Sequence, residues 1–71
     1  MIITDPDYKM ETIKDVEDFE EINKLALNRI LEISQFYKNR LRVKSHSISY
    51  NPVTNTWYAS ILFENVRLQK N

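Results

Sequence analysis

The chain has 71 residues with ten basic and ten acidic side chains, one histidine, no cysteine and no glycine. This composition excludes a disulfide framework, the usual cysteine and histidine zinc sites, and the glycine-rich loops that hold phosphates in P-loop and dinucleotide-binding folds. The balanced charge gives no general attraction to nucleic acid, and no apolar run reaches the roughly 18 residues needed to span a bilayer. We therefore expect a single domain, 1–71, in the cytoplasm of a bacterium or of a phage-infected host, without membrane contact.

Two predicted elements precede the longest periodic segment. The opening residues 1–7, MIITDPD, end in a combination typical of a turn, and residues 1–4 either pair at a sheet edge or trail. Polar and apolar residues then alternate in YKMETI, which predicts a short strand over 8–13 with Tyr8 and Met10 on the same side.

The segment 15–38 predicts an amphipathic helix that begins at Asp15 as N-cap. Apolar residues at steps of three and four form one helical face: Phe19, Ile22, Ala26, Ile30, Ile33 and Tyr37. Four more widen that face: Leu25, Leu27, Leu31 and Phe36. Acidic residues occupy the predicted first turns: Glu17, Asp18, Glu20 and Glu21. The helix dipole favours negative charge there, so we interpret these carboxylates as helix-stabilising rather than as metal ligands.

A strand is predicted over 41–50, although its alternation changes phase. Leu41 and Val43 are apolar at odd positions, whereas the later apolar residues of this strand lie at even positions. Either a bulge near 45–47 or two halves that face different partners explains the change.

The last predicted strand, 56–65, is apolar on both of its faces. The turn 51–55, NPVTN, joins it to the preceding strand, and Asn55 is expected to adopt a left-handed conformation there. Val66 and Leu68 could extend the strand before the tail 69–71.

These elements predict an α+β fold, a single β-α-β-β domain with one long amphipathic helix packed on a small antiparallel three-stranded sheet. One helix covers only one face of such a sheet, and the last strand is apolar on both faces. We therefore expect a homo-oligomer whose interface is the uncovered face. The predicted interface residues are Ile48, Tyr50, Tyr58 and Leu62.

Seven residues are candidates for binding a ligand or a partner: Arg40, Arg42, Lys44, His46, Tyr50, Trp57 and Tyr58. The aromatic members could form a stacking platform for a base or a flavin beside the basic residues, although aromatic residues in a two-sided strand more often belong to a core or a subunit interface. The basic run 38–44 could bind an anion, or could complement the helix dipole. His46 has no acid placed to orient its ring, so we expect a pH-sensitive surface or interface histidine and no catalytic residue.

The order of YKMETI, FEEINKLALNRI and WYASILFENVRL resembles the dodecins, small strand-helix-strand-strand proteins whose subunits assemble into flavin-storing shells. It also resembles the short sporulation-associated proteins of Firmicutes. The likeness covers residues 8–68 and lies in architecture and apolar pattern. Dodecins hold flavin against a tryptophan at the start of the second strand and use a glutamine in the third. The corresponding stretches here, NRLRVKS and WYASILF, contain neither residue at the matching position, so no site residue is carried over.

The sequence predicts a small non-enzymatic oligomeric binding protein without a required cofactor. The function we favour is that of a bacterial or phage-encoded accessory regulator or inhibitor that blocks or sequesters a partner protein. A dodecin-like oligomer that stores a small aromatic or anionic ligand, such as a nucleotide or flavin, is the alternative. A nucleic-acid binder that uses the basic run 38–44 is the third and less favoured possibility.

Overall fold

The structure is a computed structural model that describes residues 5–68. Its elements are a first strand β1 (Tyr8–Val16), a helix α1 (Phe19–Phe36), two strands β2 (Leu41–Asn51) and β3 (Thr56–Asn65), and a 3-10 turn at Val66–Leu68. The strands form one antiparallel sheet in the order β1-β3-β2. Because β1 and β2 both run antiparallel to β3, α1 connects two outer strands that are parallel to each other. The predicted α+β fold is confirmed.

The core lies between α1 and one face of the sheet. Its buried apolar residues are Val16, Ile22, Ala26, Leu41, Ala59, Ile61 and Phe63. Their positions follow from two periodicities, because every second residue of β3 points to the helix and residues four apart in α1 point to the sheet. The helix face is narrower than predicted, because Leu27, Leu31 and Phe36 remain exposed. Leu25 does pack against the core.

The helix begins at Phe19, four residues later than the predicted N-cap Asp15. β1 continues through this region, and Val16 is buried opposite Trp57 of β3. Asp15 has a φ of 60° at an irregularity in the register, which lets the strand resume after a left-handed residue. The N-cap is Asp18, and its side chain makes no capping hydrogen bond. Burial of Val16 in the strand therefore outweighs the helical preference of the acidic segment.

The helix ends at Phe36, before the predicted limit at Lys38, and its last turn carries no basic side chain. Lys38 and Asn39 both have positive φ, 52° and 63°. The Asn39 backbone N–H donates to the Ser34 carbonyl at 2.8 Å, which satisfies one of the free carbonyls at the end of the helix. Without glycine, a lysine and an asparagine adopt the left-handed conformation that ends the helix.

The hairpin of β2 and β3 contains the predicted bulge and turn, with small shifts. The register shift lies between Val43 and Ser45, so Lys44 is the bulged residue rather than one of 45–47. Strand β2 continues to Asn51, whose Oδ1 accepts a hydrogen bond from the Val53 N–H at 3.0 Å in the turn. The left-handed conformation predicted for Asn55 is confirmed by its φ of 56°.

The end of β3 differs from the predicted extension, since Val66–Leu68 form a 3-10 turn. Asn65 is 4% exposed and holds this turn in place. Its backbone N–H donates to the Asp7 carbonyl at 2.8 Å, its Nδ2 donates to the Pro6 carbonyl at 3.2 Å, and its Oδ1 accepts from the Arg67 N–H at 3.1 Å. The predictions for residues 1–4 and 69–71 lie outside the described residues.

Candidate binding surface on the open face of the sheet

The sheet has one face without a helix, which we call the open face. The register places thirteen side chains on it: Tyr8, Met10 and Thr12 of β1, Arg42, Ser45, Ser47, Ser49 and Asn51 of β2, and Thr56, Tyr58, Ser60, Leu62 and Glu64 of β3. They lie there because the alternate residues of β3, from Ala59 to Phe63, are buried under α1. The open face is therefore a product of the same alternation that builds the core.

The large apolar side chains of the open face lie on β1 and β3. Tyr8 is 51% exposed, Met10 is 57% exposed and Tyr58 is 39% exposed. Met10 lies opposite the half-buried Leu62, next to Tyr8 along the strand, and the Thr12–Ser60 pair lies between these residues and Tyr58. Neither Tyr8 nor Met10 was among the predicted site residues, although the alternation of YKMETI places them on one side of the strand.

A charged group borders this patch at the Tyr8 end. The Lys44 Nζ lies 3.1 Å from the Glu64 Oε2 and 5.4 Å from the centre of the Tyr8 ring. The hydrogen bond to Glu64 raises the pKa of Lys44 above its ordinary value. Arg42 lies opposite Glu64 in the register. The bulge at Lys44 thus directs a cation to a position where a carboxylate and an aromatic ring both favour it.

The predicted interface residues Ile48 and Tyr50 do not lie on the open face, and that prediction of their position is wrong. Ile48 pairs with Ala59 and Tyr50 pairs with Trp57, so both point to the helix side. Ile48 packs against the core. The bulge supplies the reason, because one extra residue at Lys44 restores the phase and puts the apolar residues of both halves of β2 on the same face.

The predicted stacking platform is divided between two faces. Trp57 contacts Phe19 at 4.8 Å and Tyr50 at 5.0 Å between ring centroids, on the helix side. The Tyr50 hydroxyl donates to the Asn55 Oδ1 at 2.8 Å. Tyr58 lies on the open face, so it does not join this cluster. Phe19 was predicted as part of the helix face and not as a partner of Trp57.

The basic run is also divided. Arg40 lies before β2 and forms an ion pair with Asp5. The hydrogen bond that Arg40 donates lowers the pKa of the Asp5 carboxyl. Lys44 is paired with Glu64 on the open face. Two of the predicted cations therefore have carboxylate partners, and only Arg42 and Lys44 share a face.

The remaining candidates for chemistry lie apart. His46 is exposed on the helix side of β2, while its neighbours Ser45 and Ser47 point to the open face. Glu20 and Glu21 line a shallow depression of about 330 Å³ at the start of α1. Within residues 5–68, no three histidine, cysteine or acidic residues are close enough together to hold a metal ion.

A second depression, of about 270 Å³, lies between β1 and the end of α1 beside an ion-pair group. The Arg29 Nη1 donates to the Glu11 Oε1 at 2.7 Å, and the Lys9 Nζ lies 3.4 Å from the Glu11 Oε2. The Glu11 side chain is 16% exposed. The hydrogen bond from Arg29, assisted by Lys9, lowers the pKa of Glu11 against the opposing effect of burial.

We expect Glu11→Gln to cost about 0.5–1 kcal/mol of unfolding free energy at pH 7 and progressively less as the pH falls below the ordinary pKa range of glutamate. The folded-state pKa is depressed, so the contribution is present above the unfolded-state pKa and is lost as pH falls through the folded-state pKa. Urea unfolding of both proteins at several pH values measures this. Glu32→Gln, on the exposed side of α1, is the control and should show little pH-dependent difference. A Glu11→Gln difference that does not change with pH would contradict the interpretation.

Comparisons with models of protein families, with curated proteins and with solved structures find no match for this chain. The resemblance to dodecins and to sporulation-associated proteins therefore stays a prediction. Helix α1 is not apolar enough over its length to cross a membrane, and residues 5–68 contain no helix that is.

Proposed function

We propose that the chain is a small non-enzymatic binding protein that assembles with copies of itself through the open face, and that the assembly blocks or sequesters another protein. The observation that carries the proposal is the apolar patch on that face, where Tyr8, Met10 and Tyr58 are all more than one third exposed. Several large apolar side chains exposed on one face often mark an interaction site. The first occupant we propose is a second copy of the chain.

The composition of the open face supports a binding role. Tyrosines on β1 and β3 offer large contact area with little loss of side-chain entropy, and serines on β2 and β3 offer adaptable hydrogen-bonding groups. Binding surfaces of antibodies use the same combination for the same reasons. The patch also borders the Lys44–Glu64 ion pair, which supplies polar contacts at its rim.

The size of the core supports self-assembly. Residues 5–68 include seven buried apolar residues, and the accessible surface of the chain is 5515 Å². A globular protein of 8.5 kDa is expected to expose roughly 4,700 Å². Covering the open face would remove part of this excess from water. Face-to-face packing of sheets is an established way to cover it.

The test compares two substitutions of the same kind at two surfaces. Met10→Lys adds a charge to the open face, opposite Leu62, whereas Leu27→Lys adds it to the outer side of α1. Met10 is 57% exposed and Leu27 is 63% exposed, so neither substitution should disturb the fold. We expect Met10→Lys to shift the protein to a smaller species in sedimentation velocity, and Leu27→Lys to leave the wild-type distribution unchanged.

Equal behaviour of the two variants and the wild type would contradict the use of the open face. Native mass spectrometry of the purified wild type separates the proposal from ligand storage. A stoichiometric small molecule released by mild denaturation would favour the storage function instead. A bare oligomer agrees with the proposal, and its partner protein is then sought by capture with Met10→Lys as the negative control.

A further inference from the structure

The outer edge of β2 differs from the outer edge of β1. Along β1 the charged residues Lys9, Glu11 and Lys14 alternate with others, and an irregularity at Asp15 interrupts the strand. Beyond the bulge at Lys44, β2 has seven residues, Ser45–Asn51, without proline or a carboxylate, lysine or arginine. Proteins usually use charges, bulges or proline to protect edge strands from pairing. The segment 45–51 of β2 has none of these, so it can pair with a strand of another molecule more readily than β1 can.

The helix leaves the middle of β2 uncovered. Every residue from 42 to 47 is exposed, including Val43 and His46, which point to the helix side. Strand order β1-β3-β2 leaves β2 with one neighbour, and no other described residue forms a strand along its outer edge. Its outward backbone groups are therefore open to pairing by a strand from another molecule.

We propose that β2 pairs with β2 of a second copy in antiparallel orientation, centred on Ile48, to form a continuous six-stranded sheet. Ile48 is the midpoint of Ser45–Asn51, so this register uses the whole unbulged segment and stops at the turn. Ile48 then faces Ile48 of the partner subunit, and Ser47 faces Ser49 of the partner subunit. The inference rests on the proposed self-assembly, but it uses a surface other than the open face.

The positions of the charges favour this arrangement. Arg42 and Lys44 lie at one end of β2, and the turn lies at the other. In the antiparallel pair, the cations of each strand lie beyond Asn51 of the partner subunit, so they are far from one another. A parallel pair would bring like charges side by side, which is destabilising.

The area of the open face also points to a second contact. Three strands of about ten residues form a face of roughly 33 by 14 Å, or about 460 Å². Two such faces bury roughly 900 Å², slightly less than the ~1,000 Å² expected of a specific interface. Joining two subunits along β2 doubles the face, so two six-stranded sheets would bury roughly 1,800 Å². Pairing along β2 would therefore bring the area buried between the open faces above that expected of a specific interface.

Cross-linking tests the register, because the chain has no cysteine of its own. Ile48→Cys places a thiol opposite its own copy, at a Cα separation of about 4.5–5.5 Å that suits a disulfide. Ile13→Cys is the matched control, since Ile13 and Ile48 pair with the same residue, Ala59, from the two edges of the sheet, and both are partly buried. Each cysteine is introduced separately into the Met10→Lys protein, so that association through the open face does not contribute to cross-linking.

We expect oxidation with copper–phenanthroline to link Ile48→Cys at least about tenfold faster than Ile13→Cys, because pairing raises the effective thiol concentration. Equal rates would overturn the proposal. The cross-linking rates test only the pairing of β2. The proposed function is tested separately, and it fails if Met10→Lys leaves the assembly unchanged.

A second measurement avoids the partly buried Ile48. The double variant Ser47→Glu with Ser49→Glu puts carboxylates opposite one another across the edge, and Ser47→Lys with Ser49→Lys does the same with cations. In the Met10→Lys background, we expect each double variant alone to be monomeric and their mixture to form a heterodimer. A mixture that stays monomeric while the parent is a dimer, or double variants that remain dimers, would overturn the register.

Discussion

Phe63→Ala is expected to remove about 3–5 kcal/mol of unfolding free energy, because it truncates the largest side chain of the core. Phe63 is fully buried and is the largest buried side chain in the core. A domain of 71 residues has a total stability of roughly 4–10 kcal/mol. We therefore expect the Phe63→Ala chain to be largely unfolded, as measured by circular dichroism and urea titration.

The control for Phe63→Ala is Leu62→Ala, one residue earlier on the open face. Leu62 is half-buried, so its truncation should cost about 1 kcal/mol in the isolated domain. The comparison separates the two faces of β3 at adjacent positions. A larger loss for Leu62→Ala than for Phe63→Ala at a concentration where the protein is monomeric would contradict the assignment of the core.

Asn65→Ala is expected to cost about 2–3 kcal/mol, a large effect for a polar side chain. The substitution removes the side chain that donates to the Pro6 carbonyl and accepts from the Arg67 N–H, and it leaves both groups without that partner. Asn65 is 4% exposed, so water cannot easily replace the lost bonds. Urea unfolding of the variant at pH 7 measures the effect.

The matched control for Asn65→Ala is Arg67→Ala. This substitution removes the exposed ion pair with Asp7 but retains the backbone N–H that donates to Asn65. Exposed ion pairs contribute at most about 1 kcal/mol, so Arg67→Ala should be much the milder change. Equal losses would show that the charges, rather than the buried amide, hold the end of β3 against the segment before β1.

The fold could be predicted because two periodicities agree along most of the chain. Alternation in β3 and the three- and four-residue spacing in α1 both follow from burial against a common core. The start of α1 could not be predicted, because nothing in the sequence indicates that Asp15 takes a left-handed conformation and that Val16 is buried in the strand. Acidic residues predict a helix start equally well at Asp15 and at Asp18.

The candidate surface could be predicted only in part. Tyr58 and Leu62 follow from the alternation of β3, and Tyr8 and Met10 were available from the same pattern in β1. A bulge near 45–47 was one of two explanations that the sequence left open. Only the bulge restores the phase and keeps Ile48 off the open face, and nothing in the sequence decides between the two. The position of Asn65 at the helix-facing phase of β3 was likewise a signal that a polar group would be buried.

We propose that the open face of the sheet is the surface through which copies of the chain assemble. Sedimentation velocity over a range of concentrations, with wild type, Met10→Lys and Leu27→Lys measured side by side, tests it most directly. We predict that wild type and Leu27→Lys form the same oligomer and that Met10→Lys forms a smaller species. A wild-type protein that stays monomeric at the highest concentration, or a Met10→Lys protein that sediments like wild type, would contradict the claim.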